Sequence, residues 1–300
     1  EYVELAKLRS LDIGGITLTD QLFAVIPLRA YGRRVEGMEL DGLIGYELFM
    51  RFPGKIDYQK RQVTFYDPSS FRYAGKGTRL PYRFNGHVPQ VEATLDGIPG
   101  VFDLDTGARS SLTLAGPFWK EHKLDAKYGA KQEVIAGAGL GGAARALLGR
   151  AGSFKLGDVE IKAPVAMLST AAGGVFNEGG YAGNVGYGVL HRFNLVLDYP
   201  HEQLFVEPNA AAGTPDVHDR AGLWIERVDK GFELIEVVPG GAGAQAGLKK
   251  GDVVVAVDGV PATEIKLPEL RDRMRAAPGT KLRLNLADGR ERTVTLKDQI

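Results

Sequence analysis

The chain has 300 residues, 44% of them apolar, with no Cys and with 37 basic side chains balancing 37 acidic ones. That length is ample for two or three compact domains. The missing Cys excludes disulfides and Cys-based zinc or thiol chemistry, and the neutral balance, without a polybasic run, gives no reason to expect a nucleic-acid or anionic-membrane partner. No apolar run nears the ~20 residues that span a bilayer. The start, Glu1-Tyr2-Val3-Glu4, is not a signal peptide and carries no initiator Met, so the chain reads as the interior or mature part of something longer.

In chain order, Gly- and Pro-punctuated alternating runs such as 54–68 and 87–105 predict a mainly β protein. Short helices are expected over 115–124, 244–250 and 267–277, the last with Pro near its start and Pro-Gly after it. An internal repeat emerges. Residues 43–63 align without a gap on 184–204 at an offset of 141, with Gly45/Gly186, Tyr46/Tyr187, Arg51/Arg192, Phe52/Phe193, Asp57/Asp198, Tyr58/Tyr199 and Gln62/Gln203 identical. Upstream, 11–26 parallels 154–168 at nearly the same offset. Two copies of one lobe explain this better than two unrelated Gly-turn-strand units.

Between the copies, an apolar strand ends in Asp105-Thr106-Gly107-Ala108. The repeat puts the symmetry-matched position of Asp105 some 36 residues before Glu1, so the first lobe is expected to be present only as its second half.

The segment 101–112 resembles the Asp-Thr-Gly-Ala active-site strand of retropepsin-like aspartic peptidases. Residues 42–58 and 183–199 resemble the segments that close each lobe's psi-shaped loop in that family. As a whole the chain resembles bacterial two-lobed aspartyl proteases with a C-terminal PDZ domain. The resemblance implies a mainly β fold with two pseudo-symmetric aspartic-protease-like β-barrel lobes, the first truncated at its N-terminus, followed by an α+β PDZ domain. Its parts would be 1–75 (first lobe), 76–209 (second lobe), 210–219 (linker) and 220–300 (PDZ).

The implied chemistry is peptide hydrolysis by water held between two carboxylates that share one proton. Asp105 would be one of the pair, and the other would come from the missing first-lobe segment or from a second copy in a homodimer. Thr106 would be a buried hydroxyl locking two loops together, Gly107 would let the backbone turn, and Val185 and Gly186 would support the loop from behind. Two positions depart from the family pattern: Asn184 stands where an apolar residue is usual, and Asp103 is a second acid on the same strand face, read as structural or at the rim.

The stretch 134–152 contains Gly137-x-Gly139-x-Gly141-Gly142, which matches a dinucleotide fingerprint but lies in a β-rich lobe rather than a βαβ unit. A glycine-rich flap over the cleft suits its position better, with a plain loop as the alternative. In the PDZ-like part, Gly231 and Phe232 are expected at a carboxylate-binding loop, Leu234 and Ile235 on the strand that receives a peptide, and Leu270 and Met274 (i, i+4) in the side-chain pocket, with Glu233 also among the peptide-binding residues; the alternative is that these residues are simply core. The five His residues form no metal spacing and no G-x-S-x-G elbow occurs. The reading is therefore an aspartic endopeptidase without cofactor or metal, acting on protein or peptide substrates, with periplasmic or exported location by analogy. Its rival is a non-catalytic protein that binds peptides through the PDZ domain.

Overall fold

The computed structural model describes residues 4–139 and 142–300. The chain opens with a two-stranded ribbon, β1 (Glu4–Ile13) and β2 (Ile16–Val25), whose faces are largely exposed. A short helix α1 (Leu28–Tyr31) runs into a π-helical turn, Gly32–Glu36, which ends at Gly37 in the left-handed region (φ 73°). After irregular backbone at Leu43-Ile44-Gly45 come α2 (Tyr46–Phe49) and the hairpin β3 (Gly54–Asp57) and β4 (Gln62–Phe65).

The next strands form the largest sheet. β5 (Thr78–Arg79) lies outside it, then β6 (Tyr82–Asn85), β7 (Val88–Leu95), β8 (Ile98–Leu104) and β9 (Leu112–Leu114) lead to α3 (Gly116–Glu121) and α4 (Leu124–Tyr128). The helix expected over 115–124 thus breaks in two at Lys123, which takes a left-handed conformation (φ 52°). β10 (Glu133–Gly139), β11 (Gly142–Arg150), β12 (Ser153–Leu156), β13 (Val159–Lys162), β14 (Val165–Ser169) and β15 (Gly183–Val185) complete the order β10-β11-β14-β9-β15-β8-β7-β12-β13, with β6 paired to β7. Helix α5 (Tyr187–Leu190) leads to the hairpin β16 (Phe193–Asp198) and β17 (Gln203–Pro208).

The two repeat hairpins meet in one five-stranded sheet, β4-β3-β16-β17-β5. Ile56 pairs with Leu195, Gly54 with Leu197, and Lys55 with Val196, its own counterpart at the repeat offset. Such self-complementary register is what a local twofold between two like strands produces. Their shared core also ignores sequence distance: Phe49, Ile56 and Tyr58 pack against the cluster that includes Leu195, Tyr199 and Val206.

The last unit has its own core, from Ala221 to Leu296. β18 (Leu223–Val228), β19 (Gly231–Val237), α6 (Ala242–Gln245), β20 (Val253–Val257), β21 (Val260–Pro261), α7 (Leu267–Arg273), β22 (Lys281–Leu286) and β23 (Glu291–Thr295) follow in order. The sheet runs β18-β19-β20-β22-β23, with β21 on β20, so β18 is an edge. Helices expected over 244–250 and 267–277 are shorter, as α6 and α7. No helix among the described residues is long and apolar enough to cross a membrane.

Candidate active site and peptide groove

β15 inserts between β8, to which it is parallel, and β9, to which it is antiparallel. The Asp-Thr-Gly loop connects those two strands, so the inserted strand closes a psi-shaped loop around Asp105. Asp105 donates its N–H to the carbonyl of Val185 (3.0 Å). Its Oδ1 accepts from the N–H groups of Gly107 (2.9 Å) and Ala108 (3.1 Å), and its Oδ2 accepts from the Asn184 amide (3.1 Å). A carboxylate gripped by backbone donors keeps a fixed orientation. Val185 is fully buried, and Gly186 lies so close to the loop that an added Cβ would collide with the Ser110 carbonyl and sit 2.8 Å from that of Ala108. The Gly186 N–H donates to the Ser111 carbonyl (3.0 Å), and that of Tyr187 to the Ala108 carbonyl (2.7 Å).

One expectation about this loop changes, and of the two alternatives for Asp103 the rim one drops out. Thr106 is exposed rather than buried and forms no hydrogen bond with the described residues. Asp103 is buried, not at a rim: it accepts from Gln90 Nε2 (2.7 Å). Burial pushes its carboxyl above the usual range, Gln90 offsets part of that rise, and the Asp105 charge adds to it. Among the described residues, Asp105 shares no hydrogen bond with another carboxylate, Ser110 and Ser111 have no bonded His, and no group of three His, Cys, Asp or Glu could hold a metal.

The glycine-rich stretch is the hairpin β10–β11, with Gly137 opposite Ala144 and Gly139 opposite Gly142; Gly141 lies outside the described residues. The stretch is flanked by two paired strands, whereas a dinucleotide site needs a strand followed by a helix. Tyr31 donates its hydroxyl to the Ala138 carbonyl near the hairpin tip (2.6 Å). At the hairpin base, Glu236 of β19 accepts from the Ile135 N–H (2.7 Å) and pairs with Arg145 (2.8 Å).

Of the residues expected to bind a peptide, Met274 lines the groove and the others do not. Gly231, Phe232, Glu233 and Leu234 belong to β19, which is flanked by β18 and β20, and Ile235 sits at the irregularity opposite Trp224 and Ile225. An inner strand has no free edge to receive another. Phe232, Leu234, Leu270 and Met274 are buried in one core, so their apolar pattern reports packing. The open edge is one strand upstream. β18 faces α7 across a groove that widens into a cavity of about 560 Å³. That cavity is lined by Trp224, Ile225, Arg271 and Met274 on one side and by Arg109 and Ser111 of the Asp105 loop on the other.

At the head of β18, the N–H groups of Ala221 (3.3 Å), Gly222 (2.5 Å) and Leu223 (3.1 Å) converge on the side-chain carboxylate of Asp219. Burial raises the Asp219 carboxyl to about 6, against the lowering effect of those bonds. Sequence reading missed this nest; its signal was an Asp three residues ahead of a Gly that opens a strand. Arg109 also went unnoticed. Its guanidinium lies 5.1 Å from the Trp224 ring centroid and 3.8 Å from Glu36, which is 3.8 Å from Arg271.

Comparison with known proteins gives one family match: residues 235–288, within the six-stranded unit, match the PDZ domain family. No curated protein matches the chain. Among solved structures it is similar to a retropepsin-like aspartic protease from Rickettsia conorii (16% identity, 45% of this chain and 95% of that one, TM-score 0.32). It is also similar to the HtrA-type protease AlgW with decapeptide (13%, 71% and 73%, 0.27) and to a serine endoprotease from Yersinia pestis (14%, 87% and 100%, 0.28). These neighbours are proteases of two unlike mechanisms, and likeness at this level does not choose between them.

Proposed function

We propose that this chain carries one half of an aspartic endopeptidase centre, with Asp105 as one carboxylate of the pair, and that its PDZ domain binds peptide segments. The observation that carries the reading is the grip on Asp105: one oxygen held by two backbone N–H groups, at the head of a loop closed by an inserted strand. A carboxylate so held suits a site where it must take a proton from water and return it without moving. The second carboxylate would stand across the local twofold that relates the repeat hairpins, from a complementary first-lobe loop or from a second copy of this chain. Thr106 would then be covered by that loop. The hairpin β10–β11 would act as a flap.

In this reading the proposed parts are 1–75, 76–209, 210–219 and 220–300, with the first part sharing its core with the second. Substrates would be protein chains, and an exported location follows only as an expectation. In the natural full-length protein, Asp105→Asn should cut cleavage of an unfolded protein substrate by at least ~10³-fold without loss of cooperative unfolding. Undiminished cleavage would exclude the mechanism.

One observation favours the rival reading, a peptide-binding protein without catalysis. The Asn184 amide already occupies Asp105 Oδ2, an oxygen that a lytic water or second carboxyl would need. Asn184→Leu, which copies Leu43 of the other repeat, separates the two readings: cleavage is kept or raised if Asp105 is catalytic.

A further inference from the structure

The groove between β18 and α7 is already occupied, and at both ends. At one end the Asp219 carboxylate fills the backbone nest of Ala221, Gly222 and Leu223. Such nests are where PDZ domains capture a free C-terminal carboxylate. Along the edge, Arg271 of α7 donates to the Ile225 carbonyl (3.4 Å), an acceptor that an added strand would need. Beyond it sits the π-helical turn from the first part of the chain. Arg34 pairs with the buried Glu226 of β18, and the Val35 carbonyl accepts from Arg271 (2.6 Å) while its side chain is buried. Glu36 bridges Arg271 and Arg109. Gly37 turns back against Leu267 with positive φ (73°), leaving no room for a Cβ.

From this we infer that the PDZ groove is built for an internal peptide segment of basic–apolar–acidic–glycine pattern, not for a free C-terminus, and that Arg34-Val35-Glu36-Gly37 is its resident ligand. Each position has a matched receptor: Glu226 for the base, a buried place where the turn packs on β18 for the apolar side chain, Arg271 and Arg109 for the acid, Leu267 for the glycine. The resident segment also touches the Asp105 loop through Glu36 and Arg109, and Tyr31 just ahead of it touches the flap hairpin. An outside segment of the same pattern would therefore displace a contact on both walls of the proposed cleft. This inference rests on the PDZ unit binding peptides, and not on aspartic chemistry.

The test uses the full chain and a fluorescent peptide copying residues 30–40, acetylated and amidated, beside a peptide of residues 30–35 ending in a free carboxylate. Wild type should bind both weakly, because the ends of the groove are occupied. Val35→Asp, which ejects the resident segment, should bind the blocked peptide at least tenfold more tightly than wild type, and a free carboxylate should add nothing. Adding Asp219→Ala to that variant should open the nest and give the carboxylate-ended peptide an advantage. Should Val35→Asp not fold, Glu226→Lys provides the same test by charge exchange: it should favour a blocked peptide carrying Arg34→Glu over the unaltered one, reversing the order. Wild type preferring the free-carboxylate peptide overturns this inference alone. No peptide binding to any folded variant overturns both this inference and the peptide-binding reading beneath it.

Discussion

The two copies of the repeat share seven identical residues and have opposite surroundings. Val185 is fully buried between β8 and β9, while its counterpart Ile44 is 53% exposed. Gly186 is jammed against the carbonyls of Ala108 and Ser110, and an added Cβ on Gly45 would meet nothing within 4 Å. Arg192 is 1% exposed, whereas Arg51 is on the surface. Local backbone nevertheless agrees: Arg61 and Glu202 share a left-handed φ (54° and 53°), as do Gly14 and Gly157 (55° and 58°) and Asp20 and Ala163 (55° and 49°). Sequence duplicates local conformation, but burial comes from the strands on either side. Those are present for the second copy and, among the described residues, not for the first.

That contrast can be broken by paired substitutions. Gly186→Val should cost about 3–5 kcal/mol in urea unfolding, because the colliding atoms are backbone and cannot rotate away. Gly45→Val should cost less than about 0.5 kcal/mol. Equal costs would mean the first copy is packed as the second is. Arg192→Leu should cost about 2–4 kcal/mol, since it strands the carbonyls of Gly188 and Thr214 that now accept from its guanidinium. The same change at Arg51 should fall within about 0.5 kcal/mol. A smaller effect is expected at the exposed apolar segment. Ile44→Ser should leave stability within about 0.5 kcal/mol while lowering binding of a hydrophobic dye.

The smallest effect concerns two adjacent groups on the cavity wall that titrate in opposite senses. Burial lowers His218 from 6.5 to about 4, so unfolded chains bind a proton first and stability falls as pH drops through that window. Asp219 is raised from 3.8 to about 6, so the folded protein binds a proton first and stability rises over nearly the same range. The wild-type profile between pH 6 and 4 should be shallow at these two groups. His218→Gln should tilt it towards greater stability in acid, and Asp219→Asn should tilt it the other way. Urea midpoints measured across that range check both signs.

The Asp-Thr-Gly loop and its partner segment were legible because their chemistry depends on local residue identity: Asp105 finds its donors two and three residues away, and Gly186 carries its constraint in its own type. The repeat was legible for the same reason. The groove between β18 and α7 was not. Gly231 to Ile235 and the Leu270/Met274 pair have the apolar pattern of a binding edge, yet that pattern is equally a core, and only sheet order separates the two. Thr106 failed for a related reason, since its burial depends on a loop facing it. Contacts across long sequence distances, such as Glu36 with Arg109 and Arg34 with Glu226, leave no periodic trace.

The account depends most on Asp105 sharing a proton with a like group. Its most direct test is the pH dependence of kcat/KM for peptide cleavage by the natural full-length protein. A shared-proton pair predicts a bell bounded by two macroscopic pKa values below neutrality, with activity abolished throughout by Asp105→Asn. Activity that rises with pH to a plateau above neutrality and survives that substitution would contradict it.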